Sequence, residues 1–257
     1  LQPHGPYSMV ALHETGGVPI VMKELLDHGF LHGEAMTVTG QTVAENLADV
    51  PKLSQLADQD VVVGVDEPTA PPNNHISVLK GNLAPESCLL KLSGKTLEQG
   101  QFRGRARVFE NEPDAMASIR SGGIVPGDVV VVRNVGPKGG PGMPEMVMLT
   151  VELQGRGLGE DVALITDGRF SGVSHGILIG HICPEAANGG PLAAVQDDDI
   201  IIIDPTARTV DLDVEQHEYE ARMSSVEPIS ISSDVAMGSV LRRFANHVSS
   251  AHHGCVQ

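Results

Sequence analysis

The sequence predicts a mixed α/β chain in which a helical segment precedes a sheet flanked by helices. Three observations support this fold class: residues 1–60 carry helical patterns, residues 66–77 (DEPTAPPNNHIS) are rich in proline and asparagine, and short β-type runs dominate the remainder. The proline- and asparagine-rich stretch suits neither a helix nor a central strand, so we predict a connector there. The expected domains are residues 1–75 and residues 76–257.

The first part contains one clear amphipathic pattern. Apolar side chains recur at helical spacing, and Gly29 follows them as a stop signal. A second helix is predicted over residues 42–47 (TVAENL). The apolar stripe of the first helix consists of Val18, Val21, Met22, Leu25 and Leu26.

The second part is expected to contain at least six strands, because it carries short apolar or alternating runs bounded by Gly, Pro, Asp or Asn. The runs are CLLKL (88–92), RARVF (105–109), VVVVR (129–133), VALIT (162–166), DIIIID (199–204) and TVDLDV (209–214).

Two helices are predicted among these strands. In EPDAMASIRSGG (112–123), Pro113 stands in the first turn and Gly122 supplies the stop. In SDVAMGSVLRRFANHV (233–248), Ser233 or Asp234 is expected to cap the helix. The apolar stripe of this helix consists of Met237, Val240, Leu241, Phe244 and Val248.

Composition limits the possible functions. The 257 residues include 41% hydrophobic ones, enough for a sizeable core, and the formal net charge is −16. Nucleic acids and anionic membranes are therefore not expected partners, since binding them needs clustered Lys and Arg. No apolar run is long enough to span a bilayer and the first residues do not read as a signal peptide, so we expect a soluble intracellular protein.

The three cysteines, Cys88, Cys183 and Cys255, are too few and too widely spaced for a disulfide framework. They also lack the CxxC spacing of a zinc or iron–sulfur site. We interpret them as ordinary small thiols in a reducing compartment. His175, His181 and the His252–His253 pair stand in no HxxxH or HExxH pattern, which argues against a histidine metal site; of the 11 histidines, His175, four residues after Ser171, is the one that could approach a site there.

The run GPKGGPGMPEM (136–146) is the first candidate site. Its glycines and prolines preclude regular structure and would let backbone N–H groups approach a ligand closely. Glu145 stands directly before an apolar stretch, residues 146–153, that predicts a helix. A carboxylate at that position is either a ligand or merely a partner for the helix dipole.

The run TDGRFSG (166–172) is the second candidate site. It leaves the predicted strand VALIT and places Ser171 between an aromatic residue and a glycine. The serine is expected to be exposed at a strand-to-helix turn. It is either a reactive hydroxyl or simply the N-cap of a helix in the following GILIGHI (176–182).

These motifs, together with GHICPEAANGGPLAAV (180–195), resemble the dihydroxy-acid dehydratases, whose family also holds 6-phosphogluconate dehydratase and the sugar-acid dehydratases. The resemblance begins at TVTGQTVAENL (37–47), continues through VLKGNLAPES (78–87) and covers nearly the whole chain. It implies a β-barrel-like swivelling β/β/α domain with flanking helices, preceded by the helical tail of an α/β N-terminal domain.

The resemblance also implies a function. Such a hydro-lyase converts 2,3-dihydroxy-3-methyl carboxylic acids to 2-keto acids in valine and isoleucine biosynthesis, as a homodimer. It would lie in the cytoplasm of a bacterium, or in the plastid or mitochondrial matrix of a eukaryote. Its cofactors are Mg²⁺ and an iron–sulfur cluster, either 2Fe-2S or 4Fe-4S. The motifs for the cluster cysteines are absent from this chain, so we expect the missing N-terminal domain to supply them. Alone, this chain should be inactive and bind no cofactor.

By the same resemblance, Ser171 would act as the base, in its alkoxide form, and Glu145 would be a magnesium ligand. Substrate-binding roles would fall to Lys138, Gly139, Gly140, Arg169 and Gly172. Arg169 has an alternative role, because the neighbouring Asp167 invites a local ion pair that would only brace the loop. Catalysis requires the base and the metal within one substrate length, so we expect the two loops to converge.

Two alternatives stay open. The substrate could be a sugar acid or a phosphogluconate, although the loops offer only Lys138 and Arg169 to hold a phosphate. The chain could also be a binding or assembly module without catalysis.

Overall fold

The computed structural model describes residues 1–2, 5–56, 58–69, 75–92, 100–229 and 238–257. Contacts divide the chain into two compact units, Leu1–Pro72 and Asn73–Gln257.

Within its described residues, the first unit has three α-helices, α1 (Met9–Thr15), α2 (Val18–Asp27) and α3 (Val43–Asn46). Helix α3 begins with a capping box, in which Thr42 and Glu45 satisfy each other's backbone N–H groups. The predictions of α2 and α3 are confirmed, whereas α1 was not predicted. The stripe expected on α2 is only partly buried, with Val18 exposed, and the fully buried side chain is Ile20.

The second unit is a closed barrel of eight strands in the order β1-β2-β6-β5-β4-β3-β7-β8. The predicted β-barrel-like arrangement is therefore confirmed. The strands are β1 (Ile76–Gly81), β2 (Ala84–Lys91), β3 (Phe102–Phe109), β4 (Asp128–Val132), β5 (Ala163–Thr166), β6 (Ile177–Cys183), β7 (Ile200–Asp204) and β8 (Thr209–Leu212).

Strand β6 contradicts the prediction of a helix in GILIGHI. The run is buried on both faces, and such a short apolar run fits a strand as well as a helix. Strand β6 pairs with β2 in antiparallel and with β5 in parallel orientation. Segment 167–176 therefore crosses back from the end of β5 to the start of β6 without a helix, so Ser171 lies in a strand-to-strand crossover and not in a strand-to-helix turn.

The barrel closes between β1 and β8, where a single residue pair, Lys80 and Thr209, is in strand register. The side chain of Asn82 supplements it, because its amide nitrogen donates to the Leu212 carbonyl at 2.8 Å and its oxygen accepts from the Leu212 N–H at 2.6 Å. Gly81 is required at this seam, since a Cβ there would lie 2.0 Å from the carbonyl oxygen of Val210. We call this junction the β1–β8 seam.

The described part of the second unit contains four α-helices: α4 (Glu112–Ser121), α5 (Val147–Gly155), α6 (Gln216–Ser225) and α7 (Ser239–His247). Helix α4 has Pro113 in its first turn and ends at Gly122 in the left-handed region, as predicted. Helix α5 confirms the prediction after Glu145, whereas α6 was not predicted. Helix α7 begins after Gly238, and its proposed caps, Ser233 and Asp234, lie outside the described residues, as does Met237.

Two hydrophobic clusters explain why β4 is apolar at consecutive positions. Val129 and Val131 belong to the cluster inside the barrel, and Val130 and Val132 belong to a second cluster with residues of α4 and α5. Because the helices cover the outer face of this parallel strand, both of its faces are buried. The glycine-rich segment 136–146 connects β4 to α5 and so starts from a rigid strand. Among the described residues, no helix has the length and apolar character needed to cross a membrane.

Candidate active site

The glycine-rich segment folds back tightly on itself and on its neighbours. A Cβ on Gly139 would lie 2.7 Å from the carbonyl oxygen of Asn134, and one on Gly140 would lie 2.9 Å from the Cα of Val135. The N–H of Gly140 donates to the carbonyl of Gly136 at 2.8 Å. These glycines therefore serve the packing of the segment itself.

Two buried carboxylates hold the same segment through its backbone. The carboxylate of Glu185 accepts the N–H groups of Lys138 and Gly139, both at 2.9 Å. Asp167 accepts those of Asn134 at 3.1 Å and Val135 at 3.0 Å. The amides that we expected to face a ligand thus bind an anion from the protein itself.

These two carboxylates are energetically unusual. Asp167 is fully buried and Glu185 is 2% exposed. Burial raises the pKa of both carboxyl groups above the ordinary range, while the backbone N–H donors oppose the rise. The negative charge of Asp167 raises the pKa of Glu185 further. Sequence reasoning had given neither residue this role; the only signal was their position directly after a buried strand.

The crossover and the glycine-rich segment converge, as predicted. The N–H of Ser171 donates to Oε1 of Glu145 at 3.0 Å, and Glu145 pairs with Arg169 in a short parallel bridge. Both side chains are partly exposed. The serine and the carboxylate therefore share one small surface region at the edge of the barrel.

The hydroxyl of Ser171 has two polar neighbours in its own turn. The N–H of Val173 donates to Oγ at 3.3 Å, and the hydroxyl of Ser174 lies 3.4 Å from the same atom. A hydrogen-bond donor aimed at Oγ favours a negatively charged oxygen over a neutral one. The N-cap alternative for Ser171 does not hold, because no helix follows it.

Arg169 braces the glycine-rich segment, but not in the predicted way. Its Nε donates to the carbonyl of Met143 at 2.6 Å. Asp167, the partner expected for an ion pair, is instead buried and bound to backbone amides, including that of Ala186 at 2.9 Å. The pair between Arg169 and Asp167 was therefore a wrong prediction, because backbone N–H groups occupy the buried Asp167 carboxylate and the Met143 carbonyl accepts from Arg169.

The remaining candidates lie around the same region. The Nζ of Lys138 donates to the side-chain oxygen of Asn188 at 2.7 Å. Gly172 is exposed beside Ser171, and His175 is partly exposed three residues further along. The backbone N–H of His181 donates to the carbonyl of Gly168 at 2.8 Å, and burial, together with the charge of Arg169, lowers the pKa of its imidazole.

The donor groups near the site determine which metals could bind there. Among the residues that the structure describes, no three His, Cys, Asp or Glu side chains are grouped to hold a metal ion. Glu145 offers one hard carboxylate donor, of the kind Mg²⁺ prefers, with Oε1 committed to Ser171. Glu112 lies near enough for the charge of Glu145 to add to the rise that burial causes in its pKa.

The cysteines do not fit an iron–sulfur cluster. Burial raises the pKa of Cys88 to about 12 and that of Cys183 to about 11, and it raises the pKa of Cys255 as well. Cluster ligation requires thiolates, which these surroundings disfavour.

Comparisons with known proteins agree with the motifs. Residues 60–255 match the family model described as dihydroxy-acid/6-phosphogluconate dehydratase C-terminal, and residues 1–46 match the corresponding N-terminal model. The chain is 50% identical over 256 residues to a dihydroxy-acid dehydratase of Leptothrix cholodnii and 48% identical to one of Chloroflexus aggregans. Each match covers 100% of this chain, which spans 44% of the length of either relative.

Proposed function

The chain belongs to the dihydroxy-acid/6-phosphogluconate dehydratase family, and from this premise we propose that it is the base-bearing portion of a dihydroxy-acid dehydratase. The substrates would be 2,3-dihydroxy-3-methyl carboxylic acids of valine and isoleucine biosynthesis, and the products 2-keto acids. Ser171 would be the catalytic base and Glu145 a magnesium ligand.

One observation carries this proposal: the hydrogen bond from the Ser171 N–H to Oε1 of Glu145. It fixes the two residues within one substrate length of each other although 26 positions separate them in the sequence. A general base acts only within hydrogen-bond reach of the proton it removes, and a metal that grips the substrate carboxylate must lie beside that base.

The reaction needs a strong base. A proton leaves C2, the hydroxyl on C3 is expelled, and the resulting enol tautomerises to the 2-keto acid. Oγ of Ser171 would take the C2 proton, and the Val173 N–H and the Ser174 hydroxyl would stabilise the oxygen while it carries negative charge. Glu145 would keep the backbone of Ser171 in place throughout.

The proposal gives Mg²⁺ a ligand in this chain but gives the iron–sulfur cluster none. Mg²⁺ bound by Glu145 and by ligands from outside this chain would supply Lewis acidity for the substrate carboxylate. The cysteines here do not suit an iron–sulfur cluster, so we assign no step to one in this chain. Expulsion of the C3 hydroxyl falls to the remainder of the enzyme, as does the homodimer expected for the complete protein.

The substrate-binding roles of Lys138, Gly139, Gly140, Arg169 and Gly172 stay predictions, as do the swivelling role of the barrel unit and the intracellular location. The hydrogen bonds of these residues limit which of their groups could bind a substrate. The amides of Lys138 and Gly139 are engaged by Glu185, and the Lys138 ammonium donates to Asn188, so a substrate would meet the remaining donors of that ammonium and the loop surface. Gly172 would admit substrate because it has no side chain beside Ser171.

A phosphorylated substrate is less well supported. The two basic side chains in these loops already bind protein oxygens, Arg169 at Met143 and Lys138 at Asn188. A phosphate would need several donors directed at it. A module that has lost catalysis is also less well supported, because the contact between Ser171 and Glu145 is intact.

The test is a substitution in a complete enzyme, made by joining this chain to the preceding part of a relative such as the Leptothrix cholodnii dehydratase. Ser171→Ala should lower kcat by about 10²–10⁴-fold and leave KM largely unchanged, as expected when a general base is lost. Ser224→Ala, on an exposed face of α6, is the matched control and should keep full turnover. Near-normal turnover of Ser171→Ala would reject the proposal.

A further inference from the structure

Lys91 is the last residue of β2, and its side chain ends in the crossover that carries Ser171. Its Nζ donates to three backbone carbonyls: Ser171 at 3.1 Å, Gly172 at 2.6 Å and Ser174 at 2.7 Å. An ammonium group has three donors and no acceptor. All three donors of Lys91 are therefore directed at one turn.

The crossover needs such a donor. Segment 167–176 contains neither helix nor named strand, so its carbonyls are not paired in a helix or a strand ladder; the Ser171 carbonyl accepts the Ser174 N–H at 3.3 Å, and Lys91 adds donors to the same turn. Lys91, in contrast, belongs to a strand that is paired on both sides, opposite Ile76 of β1 and Leu178 of β6. The ammonium thus ties an irregular segment to the rigid barrel wall.

We propose that Lys91 is a positioning residue, which fixes the backbone of Ser171 so that its hydroxyl is presented in the geometry needed for proton abstraction. This inference rests on the proposed function, because it assigns Lys91 to the same site. Both backbone polar groups of Ser171 are then held, the N–H by the Glu145 carboxylate and the C=O by the Lys91 ammonium.

The arrangement has an electrostatic side as well. Burial lowers the pKa of Lys91, so the charged group is held there at a cost in desolvation. Within the described ranges no carboxylate lies at ion-pair distance from Nζ. The contacts of Nζ given above are to carbonyl oxygens, and its positive charge favours negative charge on the nearby Ser171 hydroxyl.

The first experiment uses the 257-residue chain and needs no activity. Lys91→Met keeps the length of the side chain and removes the three donors, and Lys80→Met on the neighbouring strand β1 is the matched control, since Lys80 is exposed. Hydrogen exchange at the amides of residues 171–174 should become at least about tenfold faster in Lys91→Met, because bonds to a charged donor are lost, and stay unchanged in Lys80→Met. Unchanged exchange in both variants would overturn the inference.

A second measurement covers the case in which Lys91→Met does not fold. In the unsubstituted chain, the Nζ protons of Lys91 should exchange with water far more slowly than those of Lys80, as observed by NMR of nitrogen-labelled lysine. Equal exchange rates for the two ammonium groups would overturn the inference without any substitution.

The third experiment measures turnover in the complete enzyme. Lys91→Met should lower kcat by about 10–100-fold with little change in KM, since the geometry of the base and not substrate binding is affected. Loss of the positive charge should also move the limb of the pH profile that reports the base to higher pH. A purely structural role would leave that limb in place, and this outcome would count against the inference.

The two proposals can fail separately. If Ser171→Ala keeps its turnover but Lys91→Met speeds exchange at residues 171–174, the assigned base is wrong and the contact is only structural. If Ser171→Ala is inactive and Lys91→Met matches the unsubstituted enzyme in exchange, kcat and pH profile, only the role of Lys91 is wrong.

Discussion

The N–H of Ser171 lies 3.0 Å from Oε1 of Glu145, so one hydrogen bond couples the crossover after β5 to the segment before α5. A ligand that moves the Glu145 carboxylate would therefore also displace the backbone of Ser171. A displacement of the Ser171 backbone would likewise move the Glu145 carboxylate. The first prediction tests this coupling.

Glu145→Gln and Glu145→Ala should separate the two roles of this side chain. Glutamine keeps an oxygen that accepts the Ser171 N–H, so hydrogen exchange at Ser171 should change little, whereas alanine should speed it. By calorimetry the unsubstituted chain should show no micromolar Mg²⁺ binding, because one carboxylate is too little to displace the water shell of magnesium. Micromolar binding that Glu145→Gln abolishes would mean that a second ligand exists here.

Glu112 should report on the charge of its neighbour. Burial raises its pKa first, and the negative charge of Glu145 adds to the rise. Glu145→Gln removes that charge, so the pKa of Glu112 should fall toward its ordinary value, as followed by carbon NMR titration. A Glu112 pKa that rises or stays constant would contradict this account.

The stability of the chain should depend on pH through Glu185. Burial raises its pKa, so the folded chain binds this proton more tightly than the unfolded chain does. As pH rises from the ordinary carboxyl value through the raised one, the contribution of Glu185 to the free energy of unfolding therefore falls. The amide in Glu185→Gln does not titrate, so this variant loses the contribution of Glu185 to the pH dependence of the free energy of unfolding.

The comparison is made by urea unfolding at a series of pH values. The free energy of unfolding of the unsubstituted chain minus that of Glu185→Gln should decline as pH rises above the ordinary carboxyl range. A difference that grows with pH would mean that the N–H donors of Lys138 and Gly139 outweigh burial.

The thiols should differ in reactivity. Alkylation at pH 8 should modify Cys255, which is partly exposed, before Cys88 and Cys183, which are buried with pKa values of about 12 and 11. Mass spectrometry after short labelling, native and in denaturant, measures this order, with Cys255→Ser as the control.

Anaerobic reconstitution with iron and sulfide should give no stoichiometric cluster. Cluster absorbance that a Cys→Ser change removes would refute the interpretation of these cysteines.

Local patterns predicted the elements whose ends carry chemical signals. Helix α4 could be predicted because Pro113 and Gly122 mark its two ends, and the runs of β4 and β7 are too short and too β-branched for helices. Strand β6 was not predictable, because whether GILIGHI forms a strand depends on its two neighbours, β2 and β5, which are distant in sequence.

The residues of the candidate site likewise divide into those that local motifs predicted and those that depend on segments distant in sequence. Ser171 and Glu145 stood out by their motifs, and the requirement that catalysis unite them predicted their proximity. Lys91, Asp167 and Glu185 act on backbone groups, and a contact to a distant carbonyl or N–H leaves no trace in the residue types at either end. Such contacts become visible only when the fold brings the segments together.

The β1–β8 seam bears on how the barrel unit behaves when it is produced apart from its natural surroundings. A ring of paired strands presents no row of unpaired N–H and C=O groups on which another chain could add a strand, so amyloid-like stacking has no template. The barrel loses this protection when one of its strand pairs separates. The seam is held by one register pair, by backbone bonds from Lys80 to Arg208 and from Leu83 to Val210, and by Asn82, so we expect heat or denaturant to open the barrel there first and expose two unpaired strand edges.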